Sequence, residues 1–215
     1  SNLNLPTSPR GHSDPFLAAC AETNPVICLH IGSSSQTVIT SMDAPIDTMI
    51  TLQPMNIVQC AADLVWSPMF RQFPDLRIAL SEGGTGRIPY WLERLDYVHH
   101  QPHFWTKQDF GDTLPSQVAR DHFSFCFISD RSGVEQRDAI GLDSITWECD
   151  YPHADTPWPN SQAEVTKMLS DLPADQVAAM THGHAEKVFR WDARPDVGAD
   201  LGVDQNAWGA WREAA

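Results

Sequence analysis

Three side chains able to bind a metal or move a proton stand at the ends of apolar runs. His30 closes the run VICLH (26–30), Glu82 follows RIALS (77–81), and Asp150 follows SITWEC (144–149). Imidazole nitrogen and carboxylate oxygen are suitable donors for Zn2+ or another divalent ion. An ion held by such groups activates water, or polarises a carbonyl or carboxylate of a small substrate. His153 lies three residues beyond Asp150, placed to contact substrate or to support a ligand through a hydrogen bond. Arg87 stands near the start of the next helical segment, where it could face a substrate carboxylate, and Trp158 is a candidate pocket wall. Two other histidine groups carry less chemistry. His182-Gly183-His184 falls in a helical segment, and His99, His100 and His103 sit at the polar end of an amphipathic helix. Cys149 is expected to point into the sheet layer and is a poor nucleophile.

These residues are positioned by alternating elements. The runs 26–30, 77–81, 123–128 and 144–149 are rich in β-branched and aromatic residues and bounded by turn residues, which predicts strands. None shows polar and apolar alternation, so parallel strands covered on both faces are expected. Helices are expected over 14–22, where Asp14 and Pro15 open the segment, and over 46–70, divided by Pro54. Further helices are expected over 88–98, 133–140, 161–172 and 174–189, the last broken near Gly183. Ser161 and Glu164 have the capping-box spacing. Residues 1–192 read as one domain and 193–215 as a tail, with Trp208 and Trp211 available to dock it. Strands alternating with helices imply right-handed βαβ units and an α/β fold with a parallel sheet. A doubly wound sheet and a (β/α) barrel both fit. No G-x-G-x-x-G follows a strand, and Gly83-Gly84-Thr85-Gly86 lacks the Lys-Ser/Thr of a phosphate loop. In a parallel sheet all C-terminal strand ends share one rim, where barrels keep their catalytic groups. His30, Glu82 and Asp150 are therefore expected to converge.

Composition removes several function classes. The chain has 215 residues, with 14 basic and 28 acidic side chains and a net charge of −14. Such a surface repels phosphate backbones, which argues against nucleic acid and anionic membranes as partners. No apolar run approaches the roughly 18 residues that span a bilayer. Five cysteines with no C-x-x-C pair suggest reduced, buried thiols and a cytoplasmic protein. The polar N-terminus has no secretory signal pattern, and its first residue is Ser rather than Met, as in a processed or truncated start.

Segment 73–84 (FPDLRIALSEGG), continuing to Trp91-Leu-Glu-Arg-Leu-Asp96, together with Trp147-Glu-Cys-Asp-Tyr-Pro-His153 and Trp158-Pro-Asn-Ser161, resembles the amidohydrolase-related family. The likeness is to the branch that includes aminocarboxymuconate-semialdehyde decarboxylase, and it covers about residues 14–192. The resemblance implies a metal-dependent TIM barrel of which this chain carries strands five to eight. A first-strand His-x-His pair, which supplies two ligands in relatives, has no counterpart here. His30 matches the fifth-strand metal-ligand His. Asp150 matches the eighth-strand Asp that binds metal or handles a proton. Glu82 stands where many decarboxylases have a His, which tilts the expectation toward a hydrolase, with a non-oxidative decarboxylase as the alternative. The expected cofactor is a divalent ion, zinc first and manganese second. An exposed half barrel is expected to pair with copies of itself or with a partner chain that completes it. A catalytically silent interaction module is the reading of a different class.

Overall fold

The computed structural model describes residues 11–32, 38–101 and 108–191. Four parallel strands form one sheet: β1 (Val26–His30), β2 (Arg77–Ser81), β3 (Phe123–Phe127) and β4 (Ile145–Trp147). The helices are α1 (Asp14–Thr23), α2 (Ile46–Leu52), α3 (Ile57–Trp66), α4 (Met69–Gln72), α5 (Ile88–His100), α6 (Pro115–His122), α7 (Arg131–Glu135), α8 (Arg137–Ile140), α9 (Ser161–Leu169), α10 (Ala174–Ala178) and α11 (His184–Phe189). A π-helical turn, Ala179–Gly183, joins the last two.

Neighbouring strands follow chain order, β1-β2-β3-β4. A doubly wound sheet reverses its winding at a switch point. The unbroken order is that of a barrel, and it removes the doubly wound alternative. Leu29, Leu80, Phe125 and Ile145 align across the sheet. Because side chains alternate along each strand, this register sorts the sheet into two faces. One carries Ile27, Leu29, Ile78, Leu80, Phe125, Phe127 and Ile145, which share a single core with Ile57 and Val65 of α3 and Trp91 and Leu95 of α5. The other carries Cys28, Ala79, Ser124, Cys126 and Thr146. The strands do alternate, but by size rather than by polarity, which is why the sequence reads as unbroken apolar runs. The small-residue face is the inner face of a barrel wall.

Several boundaries differ from expectation. Ser144 belongs to a 3-10 turn (Leu142–Ser144), and residues 148–150 leave the sheet, although the Glu148 N–H still donates to the Phe127 carbonyl at 3.0 Å. The 46–70 segment divides twice, at the 3-10 turn Gln53–Asn56 around Pro54 and again at Ser67-Pro68. Helix α6 was not expected from its polar sequence, PSQVARDH. It is anchored by Ser116, whose N–H and Oγ donate to the Asp96 carboxylate of α5 at 2.9 and 2.7 Å. Uniform burial of the thiols also fails. Cys20 and Cys126 are buried, but Cys28 is exposed on the small-residue face of edge strand β1. Trp208, Trp211 and His103 lie outside the described residues.

Candidate metal centre

β1 ends at His30, in register with Ser81, so one further residue past β2 brings Glu82 to the same rim. Glu82 adopts a left-handed backbone (φ 60°), and its N–H donates to Glu148 Oε1, beyond the end of β4, at 2.6 Å. Asp150, two residues after Glu148, is also left-handed (φ 55°). The carboxyl groups of Glu82 and Asp150 adjoin, so that Asp150, through its charge and through a hydrogen bond to the protonated Glu82 carboxyl, raises the Glu82 pKa. Glu82 Oε1 pairs with His30 Nε2, and His153 Nδ1 lies 3.0 Å from Asp150 Oδ1 and 3.8 Å from Glu82 Oε1. The two imidazoles meet edge to face, 6.4 Å between centroids. His30 and His153 side chains are 53% and 63% exposed, while Glu82 and Asp150 are 11% and 10% exposed. The site is thus two-storeyed: carboxylates beneath, imidazoles toward solvent.

The electrostatics follow from this layering. Burial is the largest influence on Glu82 and raises its carboxyl pKa; Asp150 and Glu148 add to the rise while His30 opposes it. The Ile31 carbonyl, 2.9 Å from His30 Nδ1, is the main cause raising the His30 pKa. Partial burial opposes it and the Glu82 carboxylate reinforces it. Both groups therefore keep their protons to higher pH than they would in water.

One donor atom each from His30, Glu82 and His153 lies within 4.8 Å of the other two. Ligands at roughly 2.1 Å from one ion sit up to about 4 Å apart, so a small inward movement closes this set on a cation. Two imidazoles and a carboxylate suit zinc and manganese alike.

The other expected site residues lie apart from this group. Arg87 Nη1 donates to the Gly83 carbonyl behind the Gly-Gly turn. Burial pulls its pKa down to about 10, with Asp130 opposing. Trp158 is exposed on the rim loop after β4 and meets Tyr151 edge to face at 5.4 Å. Cys149 is half-buried, its Sγ 3.2 Å from Ser161 Oγ and 3.5 Å from Thr156 Oγ1. His182 is exposed and bonds Thr181 Oγ1, whereas His184 is buried. His99 packs against Phe110.

Two further carboxylates support the rim: Glu148, which went unrecognised in the sequence, and Asp130, which reads there only as a polar residue closing the third strand run. Glu148 pins the Glu82 backbone; its signal is a charged residue inside an otherwise apolar strand run. Asp130 accepts from the N–H groups of Thr85 and Gly86 (both 2.6 Å) and Gly133 (3.0 Å), bracketing the loop that follows Glu82. Burial alone would raise the Asp130 pKa, but these bonds outweigh it and lower it. Gly133 allows the bracket to close, since a Cβ there would stand 1.8 Å from Thr85 Oγ1.

Residues 4–191 match the amidohydrolase family profile. The chain belongs to the amidohydrolase family. Among solved structures, this amidohydrolase chain is similar to 5-carboxyvanillate decarboxylase from Sphingomonas paucimobilis: 22% identity, TM-score 0.64, covering 82% of this chain and 52% of that one. An amidohydrolase from Mycobacterium avium subsp. paratuberculosis K-10 gives 19% identity and a TM-score of 0.68, over 84% and 46% of the two chains. A dihydroxybenzoic acid decarboxylase from Polaromonas sp. JS666, with bound manganese and the inhibitor 2-nitroresorcinol, gives 16% and 0.64, over 85% and 55%. The chain therefore spans about half the length of the structures it matches. No curated protein sequence matches it. Among the described residues no helix is long and apolar enough to cross a membrane.

Proposed function

We propose that this chain forms half of a metal-dependent decarboxylase that removes CO2, without oxidation, from a small aromatic carboxylic acid. The observation that carries the reading is the convergence of His30, Glu82, Asp150 and His153 on one rim. The activities named for the Sphingomonas and Polaromonas structures support decarboxylation more than the hydrolysis first suggested by Glu82. A divalent ion at this rim supplies Lewis acidity that orients and polarises the substrate's oxygens. His30, from the end of β1, anchors the site. Asp150, nearly buried and bonded to Glu82 and His153, handles the proton. The carbon–carboxylate bond breaks, CO2 leaves, and the electron pair left on carbon takes up that proton. Tyr151 and Trp158 flank the rim as apolar walls for an aromatic ring.

A further polypeptide, a second copy or another chain, supplies the remaining strands in this reading. Among the described residues β1 pairs only with β2, and β4 only with β3. Phe16, Ile46 and Ile50, on the helices flanking β1, are more than half exposed.

The test is CO2 release from 5-carboxyvanillate and dihydroxybenzoate by the manganese-loaded protein, with its mass measured by light scattering. Release that disappears in His30→Ala is expected. A metal-loaded assembly that releases no CO2 overturns the decarboxylase reading, and absence of both metal and turnover supports the silent module.

A further inference from the structure

We propose that a second cavity, on the face of the sheet away from the rim residues, binds a small arylalkylamine as its ammonium ion. The cavity holds about 300 Å3, at the lower end of the volumes that small-ligand sites occupy. It lies at the strand-exit end, between β3, β4 and the first turns of α9. Trp147 lines it and is in register with Phe127. Both belong to the face that carries the large side chains, so the cavity lies on the helix side of the sheet. None of His30, Glu82, Asp150 and His153 lines it.

The lining is divided by chemistry. Ile128, Trp147 and Val165 supply hydrocarbon, whereas Asn160, Ser161 and Glu164 supply polar oxygens. Trp147 Nε1 donates to the Ile128 carbonyl at 3.1 Å, which fixes the indole and occupies its one donor. The ring is left with hydrocarbon and π surface to offer. Asn160 precedes α9 without capping it, so its side chain is not engaged by the helix end. Among the described residues that line the cavity, Glu164 is the one charged group. It takes part in none of the ion pairs among the described residues. A carboxylate without a counter-ion beside an indole suits a cation with an apolar body. The ammonium group meets Glu164 and the neighbouring oxygens, and the aryl group lies against Trp147 and Val165. Glu164 repels a carboxylic acid, so the acid proposed for the rim does not compete for this cavity.

Isothermal titration calorimetry of the whole chain with 2-phenylethylamine at neutral pH tests this. The expected result is one equivalent bound per chain. 2-Phenylethanol and phenylacetate match its shape without the positive charge, and should bind at least about 10-fold more weakly. Glu164→Gln should weaken the amine by a similar factor and leave 2-phenylethanol unchanged. Val165→Trp should abolish binding by filling the cavity, with far-UV circular dichroism confirming that the variant folds. In protein labelled with 5-fluorotryptophan, the 19F resonance that disappears in Trp147→Phe should move as the amine is added. No binding of the amine, equal binding of 2-phenylethanol, or full affinity in Glu164→Gln overturns the proposal. So does binding that leaves the Trp147 resonance unmoved, which places the amine elsewhere. None of these outcomes bears on the CO2 assay, so the decarboxylase reading stands or falls separately.

Discussion

Each end of the sheet holds two imidazoles against oxygen atoms, with opposite consequences. At the strand-entry end, His122 Nδ1 bonds the Leu76 carbonyl and His184 Nδ1 bonds the Ile145 carbonyl, both at 2.8 Å. These rings are 9% and 7% exposed. His122 also stacks on Phe70 at 4.1 Å, and burial lowers its pKa. At the exit end, His30 and His153 are open to solvent and stand over carboxylates. The side chain is the same at both ends, and so are its partners in kind: His30 Nδ1 also meets a backbone carbonyl, and His184 Nε2 lies 3.4 Å from Asp143 Oδ1. The access of water decides the role. In a dry site the ring is a structural strut; in a wet site it stays available to a cation.

The largest test of this contrast is His30→Ala. It should weaken divalent-ion binding at least about 100-fold while leaving stability within about 0.5 kcal/mol, because the residue is exposed. Dialysis and urea denaturation read the two effects. His122→Ala should do the reverse, costing about 1–3 kcal/mol through a buried carbonyl left unpaired, with ion affinity unchanged. If either variant shows the other's pattern, the contrast fails. A pH series sharpens it. Unfolded histidine titrates near 6.5, while folded His122 resists protonation. Its contribution is therefore complete above about pH 6.5 and is lost as the pH falls through the lower folded value. Urea midpoints between pH 7.5 and 5.5 should fall more steeply for the wild type than for His122→Asn. The smallest effect expected is that of Trp158→Ala. It should leave stability unchanged and raise the KM for an aromatic acid by roughly 2–10-fold, the range of one aromatic contact.

Legibility followed the physics of each element. His30 and Asp150 were readable as rim residues because a polar group closing an apolar run in a parallel sheet can only stand at the strand exit. Their convergence with Glu82 needed nothing beyond sequential winding. His153 was legible as a neighbour of Asp150, but its approach to Glu82 depends on the Asp150 backbone turn, which no local pattern announces. Glu148 was hidden because a glutamate at a strand end can face either way. Helix α6 was missed because Asp96, not an apolar stripe, anchors it through Ser116. The two faces of the sheet were obscured because cysteine and alanine register as apolar beside leucine and phenylalanine.

Glu82 and Asp150 adopt backbone angles that glycine occupies without penalty, whereas a residue with a Cβ gives up about 1–2 kcal/mol there. The rim is thus built where thermal robustness and reactivity pull apart. Glycine at either position would relax the backbone and erase a carboxylate. Directed evolution of this scaffold for heat tolerance alone should drift toward glycine at 82 and 150, yielding a sturdier protein with nothing to hold.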